Sequence, residues 1–380
     1  MKLTICIPVE PGGEVPVALV RSLLADEAAS SEIIVSLYEA DCEKADELFA
    51  LERSEARLRI LPPVPAGIST ANLWIGSVAA MGGEWVTVVR PGDALDPALA
   101  RFIVHAENQI EDVDAFAWNS FQIDRNASPD VPAAVAIPIQ HHTVKMERDD
   151  MIGAFYTWSK SGNTPLMPFG LYHAAIRRSL LESVLINSGE RSWRTDFPEY
   201  EWAARVILYA NRLAFSYRPL SAIDVRPFPQ IGEERALPEF PFDPRTGVTS
   251  AIAEIQARVL ADLDREWAGL GEDFVRACMI DCMLEKDEDA FESKAQAYYR
   301  ALLALGNDNL ANSFRPPYAP EMAPDTRRGL HDGKILFVNR FIGGAQTAQE
   351  FFGIVRNMLA PPAVVEDNFE ELVLPDPVRS

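Results

Sequence analysis

The sequence lacks any uninterrupted apolar run long enough to cross a bilayer, although 48% of its 380 residues are hydrophobic. Its opening, MKLTICIPVEPGG, is typical of a strand followed by a turn and has no signal-peptide segment with a cleavage site. These absences predict a soluble, cytoplasmic protein. The length allows one large hydrophobic core and a second, smaller unit.

Cysteine is also scarce, with four residues in the chain. Cys278 and Cys282 share a helix face at i, i+4 spacing, but Cys6 and Cys42 lie far from them in sequence. A zinc site needs a second pair of ligands nearby, which this spacing does not supply. We therefore expect buried free thiols and no zinc centre.

Positive charge is the third shortage, because 35 Lys and Arg face 56 Asp and Glu and give a net charge of −21. Such a chain is not expected to bind a nucleic-acid backbone as its main task, although a local basic site for one nucleotide is compatible with it. The loop PVEPGGEVP after the first strand contains no basic residue, which argues against a nucleotidyltransferase. The chain also has no internal repeat and no low-complexity tract.

The sequence is organised around the stretch PAGISTANLWIGSVAAMGGEWVTVVRPGDALDP, residues 65–97, which predicts a loop, a helix, a turn, a buried strand and a second turn. Ser69 or Thr70 can cap the helix, and a Gly-Gly pair ends it. The strand, 85–89, is β-branched without polar alternation, as expected of a strand covered on both faces. It leads into an Arg-Pro-Gly-Asp turn at 90–93. Open α/β sheets bind ligands at the carboxyl ends of such strands.

Strands and helices alternate on both sides of this stretch. The order β-α-β-α-β-α-β predicts right-handed crossovers and an α/β, Rossmann-like fold with a mainly parallel mixed sheet flanked by helices. The predicted strands are 3–8, 32–37, 57–61, 85–89, 115–124 and 213–217, and the predicted helices include 15–24, 40–51, 98–109 and 199–210.

Composition divides the chain into four parts. Residues 1–230 carry the α/β pattern, with loops expected at 126–170, and the proline-rich residues 231–247 are a predicted linker. Residues 248–312 are helical by period and are expected to pack on the sheet or on a partner, so a homo-oligomer through this extension is one prediction. Residues 313–380 form a mixed C-terminal segment.

With these elements placed, residues 1–225 resemble a family 2 glycosyltransferase with the GT-A fold. LTICIPV is similar to the family's first strand, EIIV to its second, and AGISTANLWIGSVAAMGGEWVTVVRPGDALDP to its signature, in which a helix and a strand lead to a DxD-type turn. PEYEWAARVILYANRLAFSYRPLSAI looks like the family's acidic helix and the strand that follows it. The resemblance therefore rests on four segments in the family's order.

The resemblance implies transfer of a sugar from a nucleotide-diphosphate sugar to a hydroxyl of a glycan or other acceptor, with inversion, in surface polysaccharide or glycan assembly. It also implies a divalent cation, Mn²⁺ or Mg²⁺, held by the DxD turn. Here Arg90 and Gly92 stand where the family has carboxylates, which leaves Asp93, with Asp96 further on. One carboxylate and the diphosphate form a thin coordination shell for a hard cation. The alternative is a GT-A-like protein that has lost catalysis and serves as a binding or scaffold subunit.

The resemblance also implies roles for individual residues. Glu199 is the first candidate for the general base that accepts the proton of the acceptor hydroxyl, and Asp196 is the second. His173 is the expected acceptor contact. The expected contacts to the nucleotide sugar are Pro8, Glu10, Tyr38, Glu39, Asn72, Arg90 and Asp93.

The end of the second strand departs from the family pattern. Leu37 and Tyr38 replace the acidic or amide groups that stand near the base and ribose. Tyr38 can stack on a base, and Glu39 or Asp41 would have to supply the carboxylate. Asn72, on the helix of the organising stretch, is expected beside the nucleotide, with polar surface as its alternative.

Each of the charged candidates has a structural alternative. Arg90 either binds a diphosphate in place of a metal, through a bidentate guanidinium, or is a solvated turn residue. Asp93 either binds the ligand or a metal or accepts from backbone N–H groups in its own turn. Asp196 and Glu199 also favour a helix N-terminus by charge. A lone histidine such as His173 is more often a hydrogen-bonded structural residue.

The other aromatic and histidine side chains are expected to be structural. Trp118, Trp158 and Trp202 lie among apolar neighbours, so core packing is favoured over stacking on a sugar. The adjacent His141 and His142 are weak metal candidates, because neighbouring side chains rarely share a site without ligands from elsewhere.

Overall fold

The computed structural model describes residues 1–26, 30–124, 127–130, 133–170, 172–188, 192–195, 197–225, 237–319 and 325–366. Within these ranges, a large mixed sheet is flanked by helices and accompanied by a small antiparallel sheet. The predicted fold class, α/β with a mainly parallel mixed sheet, is confirmed.

The strands and helices have the following bounds. The strands are β1 (Leu3–Pro8), β2 (Ser31–Ser36), β3 (Leu58–Ile60), β4 (Trp85–Val88), β5 (Ala94–Leu95), β6 (Ala115–Asp124), β7 (Ala134–Pro138), β8 (Thr143–Met146), β9 (Ala174–Arg177), β10 (Leu213–Val225), β11 (Gly329–His331) and β12 (Ile335–Asn339). The α-helices are α1 (Val17–Leu24), α2 (Asp46–Ser54), α3 (Thr70–Ala79), α4 (Leu99–Gln109), α5 (Arg148–Tyr156), α6 (Arg178–Ile186), α7 (Pro198–Tyr209), α8 (Val248–Ala261), α9 (Glu272–Met283), α10 (Glu288–Ala304), α11 (Asp308–Ser313), α12 (Ala348–Val355) and α13 (Pro362–Glu366). Short 3-10 helices lie at Glu39–Lys44, Pro244–Thr246, Ile342–Gly344 and Arg356–Met358.

The main sheet has the strand order β3-β2-β1-β4-β9-β6-β10-β5, and β8 also pairs with β10. β1 is parallel to both its neighbours, with Leu3 opposite Ser31 of β2 and opposite Trp85 of β4. β9 is antiparallel to β4 and to β6, and β6 is parallel to β10. The strands β1 to β4, β6 and β10 therefore point the same way, and their carboxyl ends meet at one edge of the sheet.

The central strand β1 is buried on both faces, as its unbroken apolar run predicts. Ile5 and Ile7 pack with α1 and α4, whereas Cys6 packs with α3, α7 and their neighbours on the opposite face. Ser69 caps α3, as predicted, because its side chain accepts from the backbone N–H of Asn72.

The Gly-Gly pair at 82–83 does not end this helix, which stops at Ala79. Gly83 instead lets the chain enter β4 close to β1. Its N–H donates to Thr4 Oγ1 at 2.8 Å, and a Cβ atom at this position would lie 2.7 Å from the backbone nitrogen of Thr4. Glycine is needed here for close approach.

The helical extension packs on the sheet domain rather than standing apart from it. α8 is buried almost throughout, lies against α7, and shares one hydrophobic cluster with the sheet. Residues 237–247, the described part of the predicted linker, contribute Phe240 and Phe242 to that cluster. The extension therefore covers the side of α7 that faces α8.

The C-terminal segment also belongs to the body of the protein. β12 pairs with β7 and β11 to form the small sheet. α12 packs on β6, where the rings of Phe121 and Phe351 lie 5.5 Å apart. No helix in the described ranges has both the length and the apolar surface that a membrane span requires.

Three predicted elements differ from the structure. The strand expected at 213–217 continues to Val225, because two register shifts after Ser216 allow β10 to stay paired with β6. The helix expected at 40–51 is divided into a 3-10 helix and α2. The region 126–170, expected to consist of loops, contains β7, β8 and α5.

Candidate functional site

The candidate site lies at the edge where β1, β2 and β4 end. β9 runs in the opposite direction, so the residues just before it, Tyr172 and His173, reach the same edge. The N-terminus of α7 brings Glu199 there, since the charge of Glu199 acts on Arg90, Tyr172 and Tyr200. Open α/β sheets bind ligands at this place in the fold.

The turn after β4 is closed by an ion pair between two of the predicted residues. Arg90 Nε lies 2.8 Å from Asp93 Oδ2, and Arg90 Nη2 lies 3.2 Å from Asp93 Oδ1. The same Nη2 donates to the carbonyl of Asp224 at 3.1 Å, and the N–H of Asp224 donates to Asp93 Oδ1 at 3.1 Å. These bonds tie the turn to the end of β10. Arg90 is therefore not a solvated turn residue.

Exposure differs between the two partners of this pair. The Arg90 side chain is 13% exposed, whereas that of Asp93 is 1% exposed. Burial lowers the pKa of Arg90, but the charges of Asp93 and its neighbours outweigh burial and raise it overall. The site therefore presents a permanent cation and hides its carboxylate.

A divalent cation does not fit this donor set. Both oxygens of Asp93 already accept hydrogen bonds, and a hard cation needs several oxygen ligands around it. Asp96, the next carboxylate, is buried and bonds Arg218 at 2.8 Å and the N–H of Ala98 at 3.0 Å. Across the described ranges, no group of three or more His, Cys, Asp or Glu side chains could hold a metal ion. The predicted metal role of Asp93 is thus not supported by the contacts of this turn.

The Arg90 guanidinium lies against the Tyr172 ring, which in turn packs on Trp74. The guanidinium carbon lies 4.6 Å from the centre of the Tyr172 ring, and Trp74 of α3 meets the same ring edge-to-face at 5.3 Å. Burial raises the pKa of Tyr172 well above its usual value, and the Glu199 charge raises it further. Tyr172 is therefore a neutral phenol between a cation and a carboxylate.

α7 holds Glu199 in place through an ion-pair cluster on its buried side. Glu201 bonds Arg205 at 2.7 Å and Arg258 of α8 at 2.8 Å, and it accepts from the N–H of Trp193 at 2.9 Å. Burial lowers the pKa of Arg205, but the carboxylates beside it, led by Glu201, raise it overall. Glu199, two residues earlier, is only partly buried, and its charge acts on Arg90 and Tyr172.

His173 lies on the other face of the sheet edge from Tyr172. Its Nδ1 is 3.4 Å from Ser221 Oγ, the oxygen that accepts from Trp118 Nε1 at 3.0 Å. Burial lowers the pKa of His173 to about 3, with a smaller contribution from Arg90, so the ring is neutral near pH 7. These contacts are those of a structural histidine, and contact with an acceptor remains a prediction.

Four other predicted contacts to the nucleotide sugar lie at the ends of β1 and β2 or on α3. Pro8 is buried as the last residue of β1, and Glu10 follows in the loop, where its charge raises the pKa of both Tyr38 and Tyr172. Glu39 and Asn72 are exposed. The contacts of these four residues to a ligand remain predictions.

Tyr38 is covered by its neighbours. The residue is 3% exposed, and its hydroxyl donates to the carbonyl of Ile68 at 2.9 Å. Asp41 is also buried, with its Oδ2 accepting from the N–H of Gly12 at 3.2 Å. Stacking of Tyr38 on a base would therefore require the loop at Ile68 to move. Glu39 is the more accessible of the two carboxylates named for the ribose.

The sequence did not indicate two features of the site: the Tyr172 ring beside Arg90, and the contact of Gln349 with the turn at 90–93. Tyr172 stood next to His173 in GLYHAAIRR, but its register relative to Arg90 depends on the antiparallel β9, which was not placed beside β4. Gln349 donates to the carbonyls of Pro91 and Asp93 from the far end of the chain, and nothing in its local sequence indicated this. Asp196, the second candidate base, lies outside the described residues.

The residues expected to be structural are so. Trp118, Trp158 and Trp202 are 3% exposed or less, which confirms core packing. His141 bonds the carbonyl of Pro138 and the N–H of Ala360, whereas His142 stacks on Tyr217. The two histidines therefore make separate contacts. The cysteines are free thiols, and those at 6, 278 and 282 are buried.

Comparisons with known proteins add likenesses in structure alone. No protein-family model matches the chain, and no curated protein sequence matches it either. The S. aureus TarS 1–349 structure in complex with UDP-GlcNAc is similar at a TM-score of 0.45 and 15% identity, over 88% of this chain and 96% of that chain. The mannosyltransferase PcManGT from Pyrobaculum calidifontis, in complex with GDP-Man and Mn²⁺, is similar at a TM-score of 0.40 and 12% identity, over 82% and 77%.

Proposed function

We propose that this protein is a glycosyltransferase that moves a sugar from a nucleotide-diphosphate sugar to an acceptor hydroxyl. The observation that carries the proposal is the arrangement at the carboxyl edge of the parallel strands. There a partly exposed Arg90 lies against Tyr172, and the charge of Glu199 acts on both residues. A cation for the leaving group and a carboxylate for the acceptor are the two charges that the reaction needs.

Arg90 is the residue that we assign to the diphosphate. In the described chain its contacts to Asp93 and Asp224 use Nε and Nη2, so the Nη1 donors are left for a ligand. A guanidinium can bind phosphate oxygens through parallel N–H groups, and it keeps its charge at any physiological pH. Asp93 orients this guanidinium and does not touch the ligand.

Glu199 is the residue that we assign as the general base. The acceptor oxygen forms a bond to the anomeric carbon from the face opposite the leaving group, and the acceptor proton passes to the Glu199 carboxylate. The bond between the anomeric carbon and the diphosphate oxygen breaks, and its electron pair leaves with the nucleoside diphosphate. The configuration at the anomeric carbon is inverted by this single displacement. Asp196 is the second candidate for the same role.

Arg90 takes the place that a divalent cation has in the family that the sequence resembles. The carboxylate of the turn is occupied by Arg90, and a metal ion would have to displace that guanidinium to bind. We therefore propose that the diphosphate is neutralised by Arg90. The acceptor is proposed to be a glycan or another hydroxyl compound of surface polysaccharide assembly.

A second function, a binding protein without catalysis, is favoured by one feature of the same turn. Arg90 already has a carboxylate partner in Asp93, which lowers the free energy gained when a diphosphate binds. Such a protein would bind nucleotide but would not release nucleoside diphosphate from a nucleotide sugar in the presence of acceptors.

The test is a thermal-shift screen with UDP, GDP, ADP, CDP and their common sugar conjugates, each with Mn²⁺ and with a chelator. The proposal predicts a shift with at least one nucleotide that persists in chelator. Release of nucleoside diphosphate from the stabilising sugar conjugate, lost in Glu199→Gln, would favour the enzyme over the binding protein. No shift with any of these compounds would contradict both functions.

A further inference from the structure

The turn that carries Arg90 and Asp93 is supported from the C-terminal segment. Gln349 Nε2 donates to the carbonyl of Pro91 at 2.9 Å and to the carbonyl of Asp93 at 3.1 Å. These two carbonyls flank Gly92, so one side-chain amide bridges the middle of the turn. The contact joins residues that are about 250 positions apart in sequence.

Gln349 is itself held by a well-ended helix. Thr347 caps α12 by accepting from the N–H of Glu350, and the Glu350 side chain accepts from the N–H of Thr347 in return. Phe351 and Phe352, the next residues along the helix, both pack on Phe121 of β6. The start of α12 is therefore held by backbone hydrogen bonds at its cap and by aromatic packing on β6.

The residues before α12 are anchored by a buried arginine. Arg340 is 2% exposed and donates to the carbonyls of Ala345 and Gln346 at 3.0 and 2.8 Å. Its Nε lies 3.3 Å from the carbonyl of Asp124, the last residue of β6. This arginine sets the distance between β6 and the start of α12.

A second contact from the same segment holds the far end of the turn. Asp96 bonds Arg218, and Arg218 Nε donates to the carbonyl of Ala360 at 3.0 Å. Arg356 approaches Asp96 from the other side at 3.4 Å. The C-terminal segment therefore contacts residues 91–96 at two places, and the contact made by Gln349 is the nearer of the two to Arg90.

We propose that Gln349 is a positioning residue of the donor site, which sets the turn so that Arg90 faces the diphosphate. The inference rests on the proposed function for its ligand, but the geometry that it invokes exists without one. Loss of the amide frees the Pro91 and Asp93 carbonyls, and the turn then samples orientations in which the Arg90 guanidinium is turned away. The C-terminal segment is by this account part of the donor site.

Four purified full-length variants test the proposal. Gln349→Met keeps the length of the side chain and removes the donor, and Gln349→Lys keeps a donor to the two carbonyls. Gln346→Met is the matched control, because the Gln346 amide contacts only the carbonyl of Gly344 in the described chain, at 3.1 Å. Gln349→Glu replaces the donor by an acceptor and is used if the methionine variant loses its cooperative unfolding transition.

The first measurement is hydrogen exchange of the peptide that covers 90–96, with no ligand present. Gln349→Met should exchange at least about tenfold faster there, as expected for the loss of one or two hydrogen bonds, while Gln346→Met matches the wild type. Equal exchange in the two methionine variants would overturn the positioning role, whatever the protein binds.

The second measurement is calorimetric titration with whichever of UDP, GDP, ADP or CDP binds the wild type. Gln349→Met should raise the Kd about tenfold, and Gln349→Lys should restore it to within about threefold of the wild type. Any kcat of the variant at saturating donor should change much less than its KM, since only the turn has moved. Wild-type binding with an unchanged Kd in Gln349→Met would overturn this inference and leave the proposed function standing. Absence of wild-type binding to every nucleotide would overturn the donor role with the proposed function.

Discussion

Two ion pairs of this chain have similar distances between their charged atoms and different surroundings. Arg90 and Asp93 at the sheet edge are 2.8 Å apart, and Arg205 and Glu201 on α7 are 2.7 Å apart. Arg205 and Glu201 are both 0% exposed, whereas Arg90 is 13% exposed over a buried Asp93. An ion pair with both members fully buried can only stabilise the fold. An ion pair whose cation is partly exposed can also bind an anion from solvent.

The same contrast separates two carboxylates on one helix. Glu201 is buried and bonded to Arg205, Arg258 and the N–H of Trp193. Glu199, two positions earlier in the helix, is only partly buried. Both stand in the acidic first turn of α7, where a negative charge is favourable in any case. Burial, and not residue type or position in the helix, divides the structural carboxylate from the candidate base.

The largest effect is expected at the fully buried pair. Glu201→Gln leaves Arg205 and Arg258 buried without their shared counter-charge, so the free energy of unfolding should fall by about 3–5 kcal/mol. Urea unfolding followed by circular dichroism measures it. Glu199→Gln serves as the control and should unfold within about 0.5 kcal/mol of the wild type. Equal losses in the two variants would remove the distinction between these carboxylates.

The next effect is on turnover at Glu199. Glu199→Gln keeps the shape of the side chain but cannot accept the acceptor proton, so the rate of nucleoside diphosphate release should fall about a thousandfold. The Kd of the nucleotide should change by less than about threefold, because the base does not bind the diphosphate. A fully active Glu199→Gln would move the base to Asp196.

Acid should act first on a buried neutral group rather than on the turn. Burial lowers the pKa of His141 to about 4 from an ordinary 6.5, aided by the nearby Arg218 charge. Between these values the unfolded chain binds a proton that the folded chain does not, so this stability is present above pH 6.5 and is lost as the pH falls toward 4. The loss should reach at most about 3 kcal/mol between pH 7 and pH 4.

The control for this prediction is His141→Gln, which removes the titrating group. Its unfolding free energy should fall less between pH 7 and pH 4 than that of the wild type, measured in urea at both values. An identical fall in the two proteins would place the acid sensitivity elsewhere in the chain.

The fold could be predicted from sequence where contacts are local in the chain. β1, α3 and β4 followed from apolar runs and from the cap at Ser69, because each signal lies within a few residues. The sequence also predicted Arg90 and Asp93 at the carboxyl end of a buried strand, and that prediction required only the order of the elements. Glu199 was named from the family resemblance and not from that order.

What could not be predicted depends on contacts between distant segments. The length of β10 is set by its pairing with β6, which continues across two register shifts. Tyr172 lies beside Arg90 because β9 runs antiparallel between β4 and β6. The Gln349 amide reaches the turn only because α12 packs on β6. No local pattern encodes such pairings.

The most direct test of the account concerns the exposed cation of the turn. Calorimetry of the wild type with its preferred nucleoside diphosphate, in the presence of a chelator, should give binding that Arg90→Gln weakens by about 10- to 100-fold, as expected for a lost charge-assisted contact. Arg21→Gln, a change at an exposed cation that pairs with Glu47, should leave the Kd unchanged. Binding that vanishes in chelator, or that survives Arg90→Gln at full affinity, would contradict the role of Arg90.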